Sequence, residues 1–393
     1  MKKTIKDIDV KNKKVLMRVD FNVPLTPEGK VSDDTRIVKA LPTIKYLKEQ
    51  RAKIILMSHL GKPKGKVVEG LRLEPVARYL STLLNESVLM LSDCIGEEVE
   101  IKVDGMLEGD IVLLENLRFH AEEENNDPEF AKKLVSLADV YVNDAFGTAH
   151  RAHASTEGVT KFIPAVAGLL MEEEINNLSN ILEKPEHPLV CLVGGAKIST
   201  KIKVIEKLLE RAEKVLLGGA LVNNILIEKG QNIGKSKVEK EMAFEAKKLL
   251  PYLEEGENKL YMPQDYIVAS SPNENAKSRI SNGTDLKDFE MILDIGPKTI
   301  VQYKEIINNS NMVIWNGPMG LFEIPKFAKG SYEIAQAVAD SNAKSIIGGG
   351  ETLDLVKSLG LEEKLTFVST GGGAMLEFLE GKELPGIAAL NDK

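Results

Sequence analysis

The sequence predicts an α/β protein of two doubly wound, parallel-sheet (Rossmann-like) domains facing across a cleft and joined by a helical hinge. Three observations carry this expectation. Ten short aliphatic runs each end in Gly, Asn, Asp or Ser and lead into helical patterns, and repeated strand–helix units build parallel sheets. The runs are apolar throughout instead of alternating, as strands covered by helices on both faces require. At 393 residues the chain is too long for one core, and two sheets accommodate ten strands better than one.

In the first half the strand runs are KVLMRVDFN (14–22), AKIILMSHLG (52–61), DIVLLENLRF (110–119) and DVYVNDAFG (139–147). In the second they are VCLVGGAKIS (190–199), KVLLGGALVN (214–223), MILDIGPKT (291–299), MVIWNGPMG (312–320), KSIIGGGET (344–352) and LTFVSTGGGAM (365–375). Between them lie amphipathic stretches such as KIKVIEKLLERAEK (201–214) and EKEMAFEAKKLLPYLEE (239–255). The seam falls near 161–190, where a helix over 171–184 is interrupted by Pro185 and Pro188. The expected domains are therefore 1–170 and 171–375, with 376–393 treated separately.

Composition narrows the function. The formal charge of −8 argues against a nucleic-acid or anionic-membrane binder, which needs a basic surface. Two cysteines, Cys94 and Cys191, each within or beside an apolar run, read as buried small hydrophobes. The N-terminus shows no apolar stretch of signal-peptide length, and no run reaches the roughly 20 apolar residues of a membrane span. The expectation is a soluble, cytoplasmic protein.

Charge and glycine are unevenly spread. Seven of the nine arginines precede residue 152, whereas 21 of the 31 glycines follow residue 189. Arg offers a planar fork for carboxylate and phosphate oxygens, and Gly lets backbone N–H groups approach a polyphosphate or purine. The simplest reading places a compact anion on the first domain and a nucleotide on the second. In open α/β sheets both belong at the carboxyl ends of strands.

The strand ends supply the candidates. VLMRVDFNVP sets Arg18, Asp20 and Asn22 on alternate positions, and Arg36 follows the helix-capping stretch Ser32-Asp33-Asp34-Thr35. SHLGKP carries His59 and Lys62, ENLRFH carries Arg118, and GTAHRAHAST carries His150, Arg151 and His153. No acidic or thiol companion stands at a convincing spacing from His150 and His153, so no metal site is read there. In GGAKISTKI, Lys197 and Lys201 are four apart at a helix start and are expected on one face, where a bound phosphate would offset their repulsion. WNGPMGLFE and GGGET are glycine turns with carboxylates suited to a ribose or Mg²⁺, and STGGGA opens a helix N-terminus fit for phosphate. G-x-G-x-x-G is absent, which weighs against a dinucleotide, and Gly230–Ser236 is one residue short of a P-loop and reads as a loop.

Taken together, VLMRVDFNVP, SHLG-P, ENLRFH, VNDAFGTAHRAHAST, VGGAKIS-KI, DIGPKT, WNGPMG-FE and STGGGA resemble the signatures of the phosphoglycerate kinase family, in the family's order from about residue 4 to 390. The resemblance implies a monomeric, cytoplasmic two-domain phosphotransferase of glycolysis. It moves the acyl phosphate of 1,3-bisphosphoglycerate to ADP, with Mg²⁺, by direct in-line transfer on domain closure. It implies that Asp20, Phe21, Asn22, Arg36, His59, Leu60, Gly61, Lys62, Arg118 and Arg151 hold the three-carbon substrate. Lys197, Lys201, Ile292, Glu323, Gly349, Gly350, Glu351 and Thr352 would hold the nucleotide, with Glu351 on the metal. Arg36, Lys201 and Gly373 would act on the transferring phosphoryl group, and 376–393 would pack back on the first domain. Three positions depart from the family: Lys62 stands where Arg is usual, Glu351 where Asp is usual, and Ile292 where Gly is usual.

Overall fold

The computed structural model describes residues 1–253 and 259–393. The strands in chain order are β1 (Lys14–Arg18), β2 (Lys53–Met57), β3 (Val88–Met90), β4 (Ile111–Leu113), β5 (Val140–Asn143), β6 (Ala165–Ala167), β7 (Leu189–Val193), β8 (Lys214–Leu217), β9 (Leu260–Tyr261), β10 (Tyr266–Ala269), β11 (Ser278–Ser281), β12 (Met291–Ile295), β13 (Met312–Asn316), β14 (Lys344–Gly348) and β15 (Phe367–Val368). Two six-stranded sheets result, ordered β3-β4-β2-β1-β5-β6 and β15-β14-β13-β7-β8-β9. Every pairing within them is parallel. The central strands are buried along nearly their whole length, which accounts for their unbroken apolar runs.

The chain forms two compact units. One contains Met1–Asn176 and Glu383–Lys393, the other Asn177–Lys382. The division falls inside the helix Leu169–Glu183. Residues 376–382 lie with the second unit because the helix begun at Gly372 runs to Leu379. Glu383–Lys393 lies with the first, where Asn143 Nδ2 donates to the Gly386 carbonyl (3.0 Å) and the Ala165 N–H donates to Asn391 Oδ1 (2.8 Å). Among the described residues, no helix is long and apolar enough to cross a membrane.

Strand order sets the sites. In the first sheet β2, β4 and β3 lie outward from β1 on one side, and β5 and β6 on the other. In the second, β7 leads outward to β9, and β13 to β15 run the opposite way. The order therefore reverses at β1/β5 and at β7/β13, and loops leaving such switch points diverge to open a crevice. Register brings the ends level. Arg18 lies opposite Met57 and Asn143, and Asn316 lies opposite Val193 and Gly348.

Two elements differ from the sequence expectation. The run 291–299 is not a strand of the parallel sheet: β12 pairs antiparallel with β10 in a separate sheet ordered β11-β10-β12. An apolar run alone does not distinguish the two roles. The stretch 239–255 is not one helix but a 3₁₀ turn at Lys240–Met242, a short helix at Ala243–Lys247 and a 3₁₀ turn at Leu250–Leu253, with residues 254 and 255 outside the described residues.

Candidate functional site

At the first switch point the chain leaves β1 through Val19 to Asn22 and folds over the start of the helix Thr35–Glu49. Arg36, on that helix's first turn, donates from Nη1 to Asp20 Oδ2 (2.9 Å) and to the Asn22 carbonyl (3.2 Å). Asn22 Oδ1 accepts the Gly61 N–H at 2.8 Å, tying the β1 loop to the β2 loop. Arg118 Nη1 donates to the Gly61 carbonyl (2.9 Å), and its Nε lies 3.3 Å from Glu124. His59 is buried, with Nδ1 3.1 Å from Arg18 Nη2. Burial, then the charges of Arg18, Arg118, Arg36 and Arg151, hold its imidazole well below the usual range. A neutral imidazole ringed by four guanidinium groups is the electrostatic signature of an anion site.

This cluster has a buried counter-charge. Arg18 Nε donates to Ser155 Oγ (2.9 Å), which donates in turn to Glu123 Oε1 (2.6 Å); Glu123 Oε2 accepts the Ser155 N–H (2.9 Å). Burial and the charges of Arg118, Arg18 and Arg151 hold His153 down at about 4. Phe21 and Leu60 differ from the other candidates. Their side chains belong to the apolar core, so only their backbone is available to a ligand. Lys62 is exposed beside buried Pro63.

In the second unit the crevice is built from glycine. A Cβ on Gly194 would lie 2.1 Å from the Pro318 carbonyl oxygen and 2.5 Å from that of Gly317, so the loops after β7 and β13 interlock only because no side chain intervenes. Beside them lies a cavity of about 340 Å³. Its wall includes Gly219, Tyr266, Ile292, Met319, Glu323 and Glu351, with Lys235 and Lys237 also lining it. The apolar wall with a few carboxylates and amines suits a flat base bearing polar substituents.

Lys197 and Lys201 do not share a helical face. The helix begins only at Ile202, with Lys201 as its N-cap residue, because the turn after Gly194-Gly195 occupies 196–201. Lys197 is exposed in that turn. Lys201 is half-buried, and its Nζ donates to Asn316 Oδ1 at the end of β13. Burial pushes the Lys201 amine down to about 8, opposed by the nearby charge of Glu351. The Asn316 side-chain Nδ2 is buried with no hydrogen-bond partner. An unsatisfied amide donor beside a desolvated amine awaits an acceptor such as a phosphate oxygen.

Gly349, at φ +99, caps the helix Gly350–Ser358 and sets Glu351 in its first turn, exposed at the cavity. Thr352 is buried, and its Oγ1 accepts the Gly317 N–H at 2.7 Å, so it braces one glycine turn against another. Gly373 stands in the first turn of the helix Gly372–Leu379, where backbone N–H groups lack intrahelical acceptors. Asn316 was not among the sequence-derived candidates. It sits inside the WNGPMG motif, but only the fold reveals that its amide meets Lys201. The Lys235 and Lys237 side chains lie in or next to the loop that resembled a shortened P-loop, and they reach the cavity without a P-loop.

Comparison with known proteins places the chain in a family. Residues 5–382 match the phosphoglycerate kinase family. The chain is 53% identical over 396 residues to phosphoglycerate kinase of Dictyoglomus turgidum and 51% identical over 392 residues to that of Pelotomaculum thermopropionicum, covering 100% of both chains in each case. The structure is similar to that of phosphoglycerate kinase from Coxiella burnetii, with a TM-score of 0.87 and 41% identity over 99% of this chain and 98% of the other. It also resembles the Pyrococcus horikoshii enzyme (TM-score 0.85, 36% identity, 98% of each chain). On sequence and structure alike, this chain belongs to the phosphoglycerate kinase family.

Proposed function

We propose that the first unit binds 3-phosphoglycerate and 1,3-bisphosphoglycerate through Asp20, Asn22, Arg36, His59, Gly61, Lys62, Arg118 and Arg151, with backbone groups of Phe21 and Leu60. The second unit binds ADP and ATP through Lys197, Lys201, Ile292, Glu323 and Gly349–Thr352. The reaction itself is the family's: reversible transfer of the acyl phosphate of 1,3-bisphosphoglycerate to ADP, giving 3-phosphoglycerate and ATP in glycolysis. The observation that carries the division of roles is the ring of Arg18, Arg36, Arg118 and Arg151 around a neutral His59. We place the enzyme in the cytoplasm as a monomer.

An acyl phosphate is already activated, and in reverse the attacking carboxylate is already ionised, so no general base is required. Catalysis then consists of positioning and charge stabilisation. The cations around His59 supply the first. Arg36, Lys201 and the backbone N–H groups near Gly373 supply the second. Asp20 restrains the Arg36 guanidinium and is free to accept from a substrate hydroxyl.

Mg²⁺ fits this site. Its preferred set is one or two carboxylates with phosphate oxygens and water, and Glu351 offers a hard, exposed carboxylate at the cavity. Glu351 would hold the ion. An ion held there would supply positive charge against the nucleotide's phosphates.

The test is coupled formation of ATP from ADP and 1,3-bisphosphoglycerate by Arg36→Ala. Losing a donor to charge that develops during transfer costs on the order of 3 kcal/mol, roughly a hundredfold in turnover. The melting temperature should change little, because the side chain is partly exposed. Turnover within about threefold of the parent would remove Arg36 from this role.

A further inference from the structure

We propose that Asp93, Cys94 and His120 form a binding site for a thiophilic divalent cation of the Zn²⁺ class, separate from the Mg²⁺-nucleotide site. Asp93 and Cys94 lie in the loop after β3, and His120 follows the 3₁₀ turn Leu117–Phe119 beyond β4. Parallel pairing of β3 and β4 brings the two loops together. One ligand atom from each residue falls within 4.8 Å of the others. Asp93 Oδ1 is 2.7 Å from His120 Nε2 and accepts the Cys94 N–H at 2.6 Å.

Thiolate, imidazole and carboxylate together select Zn²⁺ over Mg²⁺, and three protein ligands plus one water make a familiar tetrahedral set. With bonds of about 2.0–2.3 Å, ligand atoms on such a tetrahedron stand about 3.3–3.8 Å apart. The Asp93–His120 contact must widen slightly and the longest separation must close by about 1 Å, which side-chain torsions alone can supply. Cys94 is fully buried, whereas the Asp93 and His120 side chains are 48% and 25% exposed. The ion can therefore approach from solvent and find its sulfur ligand on the inner side.

Carboxylates lie near the site: His120 feels that of Glu122, opposed by Lys133, and Cys94 feels that of Glu123, while burial holds its thiol protonated until a metal displaces the proton. The His120 ring is held against Phe130, with centroids 5.3 Å apart, and the Asp93 carbonyl accepts the Glu115 N–H at 3.3 Å. On binding, the metal forms bonds to Sγ, Nε2 and a carboxylate oxygen; the thiol proton leaves to solvent, and His120 frees Nε2 by carrying its remaining proton on Nδ1, so that an imidazolium releases one further proton and a neutral ring none. His120 closes the ENLRFH motif yet has no part in the ligand sets above.

Titration of the full-length, nucleotide-free protein with Co²⁺ after chelator treatment tests the site. We expect one equivalent to bind with a near-ultraviolet thiolate-to-cobalt band that Zn²⁺ abolishes. The band should vanish in Cys94→Ser and persist in Cys191→Ser. Asp93→Asn and His120→Asn should weaken binding at least about tenfold. If Cys94→Ser does not fold, Asp93→Asn, whose side chain is half exposed, decides. No thiolate band in the parent, a band surviving in Cys94→Ser, or parental affinity in both Asp93→Asn and His120→Asn would overturn the proposal.

Discussion

Glu351 carries a side chain one methylene longer than Asp, on the first turn of a helix whose start is fixed by Gly349 and Gly350. Mg²⁺ accepts only near-octahedral geometry with metal–oxygen distances of about 2.0–2.1 Å. Unless the turn recedes, a longer carboxylate overshoots the ion or reaches it through water, which keeps the Coulomb attraction and loosens the phosphate tail. Glu351→Asp should therefore keep or improve the apparent Mg²⁺ affinity, and Glu351→Gln should lower it by roughly tenfold, about 1.4 kcal/mol. Mg²⁺ titrations at fixed ADP across the three proteins read this out directly; undiminished Mg·ADP binding by Glu351→Gln would separate this carboxylate from the metal. Among single residues, sequence spacing was informative where it reported strand ends and misleading where it assumed a helix. Arg18, His59, Arg118 and Arg151 converge because parallel strands bring their ends level, and Arg36 reaches Asp20 beside them from the start of the helix Thr35–Glu49. Lys197 and Lys201 separate because the helix starts later than the four-residue spacing suggested. The Lys201–Asn316 contact spans 115 residues and Asp93–His120 spans 27; no local pattern encodes either.

Glycine turns are the elements on which the second unit's crevice depends. Gly317, at φ +95, would place a Cβ 2.3 Å from the Gly194 carbonyl oxygen, and Gly194 is blocked reciprocally by Gly317 and Pro318. These contacts are with backbone, which cannot swing aside. Gly194→Ala should thus push the loops after β7 and β13 apart, destabilising the second unit by about 1–3 kcal/mol, the range of an overpacked interior. ADP affinity should fall, while binding of 3-phosphoglycerate, assigned to the other unit, should hold. Calorimetric titration with each ligand distinguishes this from general unfolding, which would abolish both. The long central strands were readable as buried runs, each followed by its turn. Most of the shorter ones were not: β9 has two residues and β11 reads SRIS with two of four positions exposed, whereas β15, also of two residues, was marked by its run LTFVSTGGGAM. Such edge strands take their pairing from neighbours already in place. The antiparallel role of β12 likewise depends on β10, whose register carries an irregularity between Ile267 and Val268.

Across the whole molecule, a buried aspartate in each unit couples folding to pH. Asp144, after β5, is driven up to about 7 by burial, against hydrogen bonds from Thr43 and the Met171 and Leu170 N–H groups. Asp294, in β12, is also driven to about 7 by burial, although its oxygens accept the Gly330 N–H (2.7 Å) and the Ile295 N–H (2.9 Å). Both folded values lie above the ordinary aspartate value of 3.8. Between about pH 4 and 7 the folded protein therefore holds more protons at these sites than the unfolded chain. Stability must then fall as pH rises through that window, the opposite of the trend set by paired surface carboxylates. Below the window the penalty is absent, and above pH 7 it is complete, at most on the order of 4 kcal/mol per site. Asparagine cannot ionise, so the stability of Asp294→Asn relative to the parent should be greater at pH 8 than at pH 5. Trp315, the only tryptophan, is buried in β13 of the second unit, so its fluorescence in urea follows that unit. Asp144→Asn should show the same sign in the first unit, followed by circular dichroism, without shifting the tryptophan transition when the two units unfold separately. A parent–variant difference identical at pH 5 and pH 8 would mean that the carboxyl does not titrate on folding.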